Sequence, residues 1–240
     1  MKQTKHEGSP LLLIATNNKG KVKELQDLLK DTGIELVTPA KINLELDVVE
    51  DGHTYAENAT KKALAFAQAS GLISLADDSG LEVDALNGAP GLYSARYGSP
   101  VTLPPFSKKM GGVRGELTDK DRRAYLIQNL QGKPRPWTTR FHATIAIAIP
   151  ESLWSQVARR LKSQEHAPVI QIFEGFCEGE IIPEERGTGG FGYDPIFLLT
   201  ELGKTMAELS MDEKNRLSHR AQAVMNAKPI LIKLLIQSQR

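Results

Sequence analysis

The sequence predicts an α/β fold on three observations: a β-α-β opening over residues 11–38, a capped alanine-rich helix leading into an apolar run, and a strictly alternating strand. Leu11 to Thr16 is a short apolar run that reads as a buried strand. Asn17-Asn18 precede Lys19 to Lys30, where Val22, Leu25, Leu28 and Leu29 recur at helical spacing. Ile34 to Thr38 reads as the next strand. Thr54 and Glu57 form a T-x-x-E capping box, starting a helix that runs to Ser70. Leu72 to Ala76 follows as a buried strand ending in the acidic pair Asp77-Asp78.

The stretch from Gly98 to Pro136 is rich in Pro, Gly, Lys and Arg, with one helix expected from Thr118 to Leu130. From Arg140 to Ile149, Phe141, Ala143, Ile145, Ile147 and Ile149 share one face of a strand. Val169 to Ile182 gives two strand candidates turning near Gly179. After the loop RGTGGFGYDP comes a short strand from Ile196 to Leu199, then helical segments that Pro229 is expected to separate. Residues 1–9 read as a flexible polar tail and residues 10–240 as a single domain.

With 30 Lys+Arg against 29 Asp+Glu in 240 residues, the net charge is +1. That argues against a polybasic binder of nucleic acid or membrane surfaces. Cys177 is the only cysteine, which excludes a disulfide scaffold and fits the cytoplasm. The apolar run near the start is too short for a secretory core or a membrane span. Charge is uneven, however: residues 45–84 hold nine acids and two lysines. An acidic region of that kind suits a cation site.

Four segments carry candidate chemistry. Thr16-Asn17-Asn18-Lys19-Gly20-Lys21 lies between a strand and a helix, where backbone N–H groups and lysines favour phosphates. It departs from a P-loop, because Ala15 replaces the first Gly and Val22 the Ser/Thr that would hold Mg²⁺. It also reads as an Asn-capped helix with solvated lysines. Residues 76–86, ADDSGLEVDAL, place two carboxylates and Ser79 where oxygen ligands suit a hard cation. Adjacent strand residues face opposite ways, so Asp77 and Asp78 should differ in role. The same residues also suit a self-bonded turn. Glu50-Asp51-Gly52 is a second acidic candidate. Glu57 belongs to the capping box.

Gly187 to Gly192 matches G-x-G-x-x-G, but Tyr193-Asp194-Pro195 leads into a strand rather than a helix, against a dinucleotide fingerprint. Four glycines around Phe191 and Tyr193 suit close backbone approach to a ligand and stacking on a base, or a tight turn with core aromatics. In MDEKNRLSHRAQA, Ser210 and Glu213 make another capping box. On one continuous helix Lys214 points away from His219 and Arg220, so all three reach one ligand only if the helix breaks, with Ser218 a candidate cap. A charged solvent face is the alternative. The histidines at 6, 53, 142 and 166 lack metal-ligand spacing, and Cys177 reads as a small buried residue.

ATNNKGKVKEL, DGHTYAENA with ADDSGLEVDAL and GAPGLYSARYG, GTGGFGYDPIF, and EKNRLSHR occur here in the order shown by the inosine triphosphate pyrophosphatase family. The chain resembles that family over roughly residues 11–98 and 139–236. The resemblance implies an elongated mixed sheet with two lobes around a nucleotide-binding cleft, a homodimer, and Mg²⁺-dependent hydrolysis of (d)ITP and XTP to monophosphate and pyrophosphate. It assigns Thr16 to Lys21 to the triphosphate and Asp78 to proton acceptance and metal binding, with Ser79 beside it. Phe191, Gly192, Tyr193 and Asp194 match the nucleoside loop, Lys214 a substrate lysine, and His219-Arg220 the base-reading pair. The family's usual acidic residue three before Gly52 is Val49 here, so Glu50 stands in as second metal ligand. Residues 99–139 are longer than the family pattern. The rival from another class is a nucleotide-binding regulator of the septum-inhibitor type, whose sequence lacks the GTGGFGYDP and SHR segments.

Overall fold

The computed structural model describes residues 9–99, 117–161 and 170–236. The expected tail up to residue 8, and residues 100–116 of the long segment, lie outside the described residues. The strands are β1 (Leu11–Ile14), β2 (Glu35–Val37), β3 (Ser74–Val83), β4 (Pro90–Gly91), β5 (Thr138–Ala148), β6 (Ile170–Ile181), β7 (Phe197–Leu199) and β8 (Lys204–Thr205). The helices are α1 (Lys19–Leu29), α2 (Tyr55–Ser70), α3 (Asp119–Leu130), α4 (Trp154–Leu161), α5 (Met211–Leu217) and α6 (His219–Leu235). None is long and apolar enough to cross a membrane among the described residues.

The strands form one mixed sheet in the order β2-β1-β3-β5-β6-β7-β8, with β4 paired to β3. β1 runs parallel to β2 and β3, as the β-α-β opening requires, and the remaining pairs are antiparallel. This is the expected elongated mixed α/β sheet.

Long strands give the sheet two ends. At one end Leu12, Ile14, the β5 residues Ala143, Ile145 and Ile147, and Ile149 just after them pack against α1 and α6, while Leu13, Ala76, Ala146 and Ala148 pack on the other face against α2. At the far end Leu81, Val83 and Phe141 join Leu126, Leu130, Ile196 and Phe197 in a separate core. β3 passes from one core to the other. Its Leu75-Ala76 belongs to the first end and Leu81 and Val83 to the second, so the polar run Asp77-Asp78-Ser79-Gly80 falls between the lobes. The expectation that β3 ends at Asp77-Asp78 is corrected: the pair is mid-strand, opposite Ile145 and Thr144.

Two further boundaries differ from expectation. β6 is one strand without a turn at Gly179, where a Cβ would instead meet the Phe197 ring at 2.6 Å. Glycine there permits close strand packing. Pro229 lies inside α6 rather than ending a helix. The bond it removes would reach back to Met225, on an exposed part of the helix, which limits the cost. The break falls at Ser218, which ends α5 and caps α6 by accepting from Ala221 N–H at 3.2 Å.

Candidate active site

A cavity of about 500 Å³ opens between the lobes, within the range of small-molecule sites. It draws Thr16, Asn18 and Lys21 from the β1–α1 turn, Asp78 and Ser79 from β3, Phe191 to Asp194 from the glycine loop, Lys214 from α5, and His219 and Arg220 from α6. The break at Ser218 is what lets Lys214, His219 and Arg220 face one space. Glu50 also lines it. Asn17, Lys19 and Gly20 do not, among the sequence-expected residues. Asn17 and Lys19 sit exposed at the start of α1. Gly20 serves by smallness, since a Cβ there would meet the Phe191 ring at 2.7 Å.

Asn18 caps α1, its Oδ1 accepting from Gly20 N–H at 2.9 Å and Lys21 N–H at 3.1 Å. The cap orients the first turn so that Lys21 folds inward, 2.5 Å from Asp77 Oδ1. Asp77 thus differs from Asp78 in role, as the strand alternation predicted. It points beneath the cleft floor, where Arg220 Nε meets Oδ2 at 2.7 Å. Arg220 Nη1 also meets Glu24 Oε2 at 2.5 Å, and Nη2 meets Ser79 Oγ at 3.0 Å. Glu24 in turn takes Lys214 Nζ at 2.6 Å, and Lys214 reaches Asp194 Oδ2 at 2.7 Å. A single buried chain of alternating charges therefore runs from Lys21 to Asp194.

Burial opposes ionisation of Asp77 and Glu24, but the guanidinium and ammonium partners outweigh it and hold both carboxyls below the usual range. Asp194 and Asp78 go the other way. Burial raises each despite nearby lysines, Lys214 for the first and Lys62 for the second. Burial also pushes His219 well below its ordinary value, so its imidazole is neutral at pH 7. Its ring stacks on Phe141 at 4.7 Å, and Nδ1 has no partner among the described residues.

The glycine loop holds Phe191 over Lys214 and Arg220, 5.1 and 5.8 Å from the ring centre. Asp194 accepts Phe191 N–H at 2.9 Å and fills the space where a Gly190 side chain would go. Tyr193 is buried and its hydroxyl donates to Ser94 C=O at 2.9 Å, which ties this loop to the Ser94–Arg96 turn.

The Ham1 family pattern matches residues 12–230. A dITP/XTP pyrophosphatase from Desulforamulus reducens is 44% identical over 230 residues, covering 95% of this chain and 98% of the relative. One from Bacillus subtilis is 38% identical over 219 residues, 91% and 96% of the two chains. The chain belongs to the Ham1 family. A solved Ham1 protein from Coxiella burnetii superposes with a TM-score of 0.72 at 35% identity, over 92% of this chain and 98% of that one. The Staphylococcus aureus Ham1 protein gives 0.69 at 32% identity, over 92% and 97%.

In this Ham1-family chain several site residues escaped the sequence reading. Lys62 lines the cavity and lies 3.0 Å from Glu50 Oε1, 3.4 Å from Asp78 Oδ1 and 3.1 Å from Asp77 C=O. Its signal was available: Lys62 falls in phase with Tyr55, Ala59 and Phe66 on the apolar stripe of α2. Glu24 likewise shares the buried face of α1 with Leu25 and Leu28. Ser94, Arg96, Asp119 and Arg122 complete the far wall. Glu57 caps only in part. Its N–H goes to Thr54 Oγ1, but its carboxylate takes His53 N–H at 2.6 Å. Gly52 N–H bonds Asn58 Oδ1 at 2.8 Å, which seats the loop carrying Glu50.

Among the described residues, no three His, Cys, Asp or Glu side chains converge as a metal centre. Glu50, Asp78 and the Asp77 carbonyl do converge on one cation, the Lys62 ammonium. An all-oxygen set of two carboxylates suits Mg²⁺, which keeps waters and shares substrate phosphates. Six Lys/Arg against four carboxylates line the cavity, so its wall favours an anion.

Proposed function

We propose that this protein hydrolyses the non-standard purine nucleoside triphosphates dITP, ITP and XTP to the monophosphate and pyrophosphate. The observation that carries this reading is the meeting of all four motif segments on one cation-rich cavity with an aromatic at its edge. Relatives named dITP/XTP pyrophosphatase, matched over nearly the whole chain, support it. The regulator reading draws no support from them.

In this reading the phosphates face Lys21, Lys62 and Lys214, and the base faces Phe191 and His219. Asp78 orients a water and takes its proton. The water oxygen bonds to the α-phosphorus as the bond to the bridging oxygen breaks, and pyrophosphate leaves with the electron pair. The lysines stabilise the charge gathered on it. Mg²⁺ held by Glu50 and Asp78 would neutralise phosphate charge.

Base selection is narrower than an Arg fork. Four of the five Arg220 donors are engaged or shared among Asp77, Glu24 and Ser79, which leaves one Nη1 proton for a 6-keto oxygen. His219, whose buried Nδ1 has no partner among the described residues, lines the cavity beside Arg220. An adenine amino group meets the Arg220 donor with another donor, so the buried groups stay unmatched. We place the protein in the cytoplasm as a homodimer, without nucleic-acid or membrane partners. The lone thiol supports the cytoplasm, the near-neutral charge supports the absence of nucleic-acid and membrane partners, and the family resemblance supports the homodimer.

The test is product identification with ITP, XTP and ATP in Mg²⁺. Pyrophosphate from ITP and XTP, with little from ATP, supports the reading. Orthophosphate release, or no turnover of ITP, contradicts it.

A further inference from the structure

We infer that helix α3 positions the nucleoside loop, with Asp119 and Arg123 acting on substrate binding through the peptide groups of Gly192. The inference rests on the nucleotide reading above. Gly192 has φ +61, a left-handed conformation that turns its N–H and C=O away from the loop's own hydrogen bonds. Both are met by α3. Asp119 Oδ2 accepts the Gly192 N–H at 2.8 Å, and Arg123 Nη1 donates to the Gly192 C=O at 2.7 Å.

Neither partner is free to drift. The other Asp119 oxygen takes Arg122, so the carboxylate is oriented from both sides. Arg123 is buried and forked onto Glu185, with Nε to Oε1 at 2.9 Å and Nη2 to Oε2 at 3.0 Å. The helix is fixed at its start by a capping box between Thr118 and Asp121 and further along by Leu126 and Leu130 in the second core. Asp194 and Lys214 hold the loop from inside, and α3 holds it from outside. Phe191, one residue before Gly192, therefore has its ring set by both grips. Asp119 also lines the cavity.

This makes Asp119 and Arg123 positioning residues, whose loss should cost affinity rather than the chemical step. Asp119→Ala should raise KM for ITP about tenfold, the equivalent of about 1.4 kcal/mol, with kcat within about twofold. Asp119→Asn keeps an acceptor oxygen and should recover most of that loss. Arg123→Gln should behave like Asp119→Ala. Exchange of the Gly192 amide, followed by NMR, should be slow in the parent protein and Asp119→Asn and fast in Asp119→Ala. KM unchanged in both Asp119→Ala and Arg123→Gln overturns the inference, as does a lowered melting temperature with KM unchanged. Equal defects in Asp119→Asn and Asp119→Ala also overturn it. If the parent protein fails to turn over ITP, the nucleotide reading falls separately. The dissociation constant for ITP and the Gly192 exchange rate then judge the clamp, and identical values in parent and Asp119→Ala reject it.

Discussion

Arg220 Nε lies 2.7 Å from Asp77 Oδ2, and both side chains are shut away from water. The pair is the centre of the buried charge chain, so removing the cation leaves Asp77 to Lys21 alone and Glu24 to Lys214 alone. Arg220→Ala should destabilise the protein by about 3–5 kcal/mol, read from urea unfolding. It should also narrow the preference for ITP over ATP. A loss below about 1 kcal/mol would show that Lys21 and Lys214 by themselves compensate the two carboxylates.

Asp78→Asn keeps the size and strand position of Asp78 and removes its basicity. Turnover of ITP should fall by at least about a hundredfold while the melting temperature stays near that of the parent. Undiminished turnover in this variant would remove Asp78 from the reaction.

Lys62 holds the oxygens of Glu50, Asp78 and Asp77 C=O that a divalent ion would use. Lys62→Met leaves them open. Without nucleotide, the variant should bind Mn²⁺, a paramagnetic stand-in for Mg²⁺, more tightly than the parent. Its turnover should fall through loss of phosphate stabilisation. Weaker Mn²⁺ binding would separate Lys62 from the cation site.

His219 is held neutral by burial, with its folded pKa well below 6.5. Below pH 6.5 the unfolded chain binds a proton there that the folded chain does not, so stability falls as pH falls. The slope from this residue approaches about 1.4 kcal/mol per pH unit. His219→Phe keeps the stack on Phe141 and should flatten the fall between pH 6.5 and 5 relative to the parent. Parallel curves for the two proteins would contradict a neutral buried His219.

Most elements could be read from local pattern, because apolar spacing and caps act over short distances. The Asn18, Thr54, Thr118, Ser210 and Ser218 caps all sit where sequence placed a helix start. What escaped was non-local. The length of β3 is set by its pairing with β5, and the single strand β6 by Phe197 packing over Gly179. Partners separated by 143 and 196 positions, Asp77 and Glu24 around Arg220, leave no spacing signal. The motif residues proved to be of three kinds: those facing the cavity, those such as Gly20 that shape it from behind, and Asn17 and Lys19, which sit exposed outside it.

In the proposed reaction water attacks the α-phosphorus between Asp78 and the lysines. Hydrolysis of ITP in ¹⁸O-labelled water, followed by mass spectrometry of both products, tests it most directly. Attack at the α-phosphorus puts one ¹⁸O in the inosine monophosphate and none in the pyrophosphate. Label in the pyrophosphate with unlabelled monophosphate would place the attack on the β-phosphorus and contradict it.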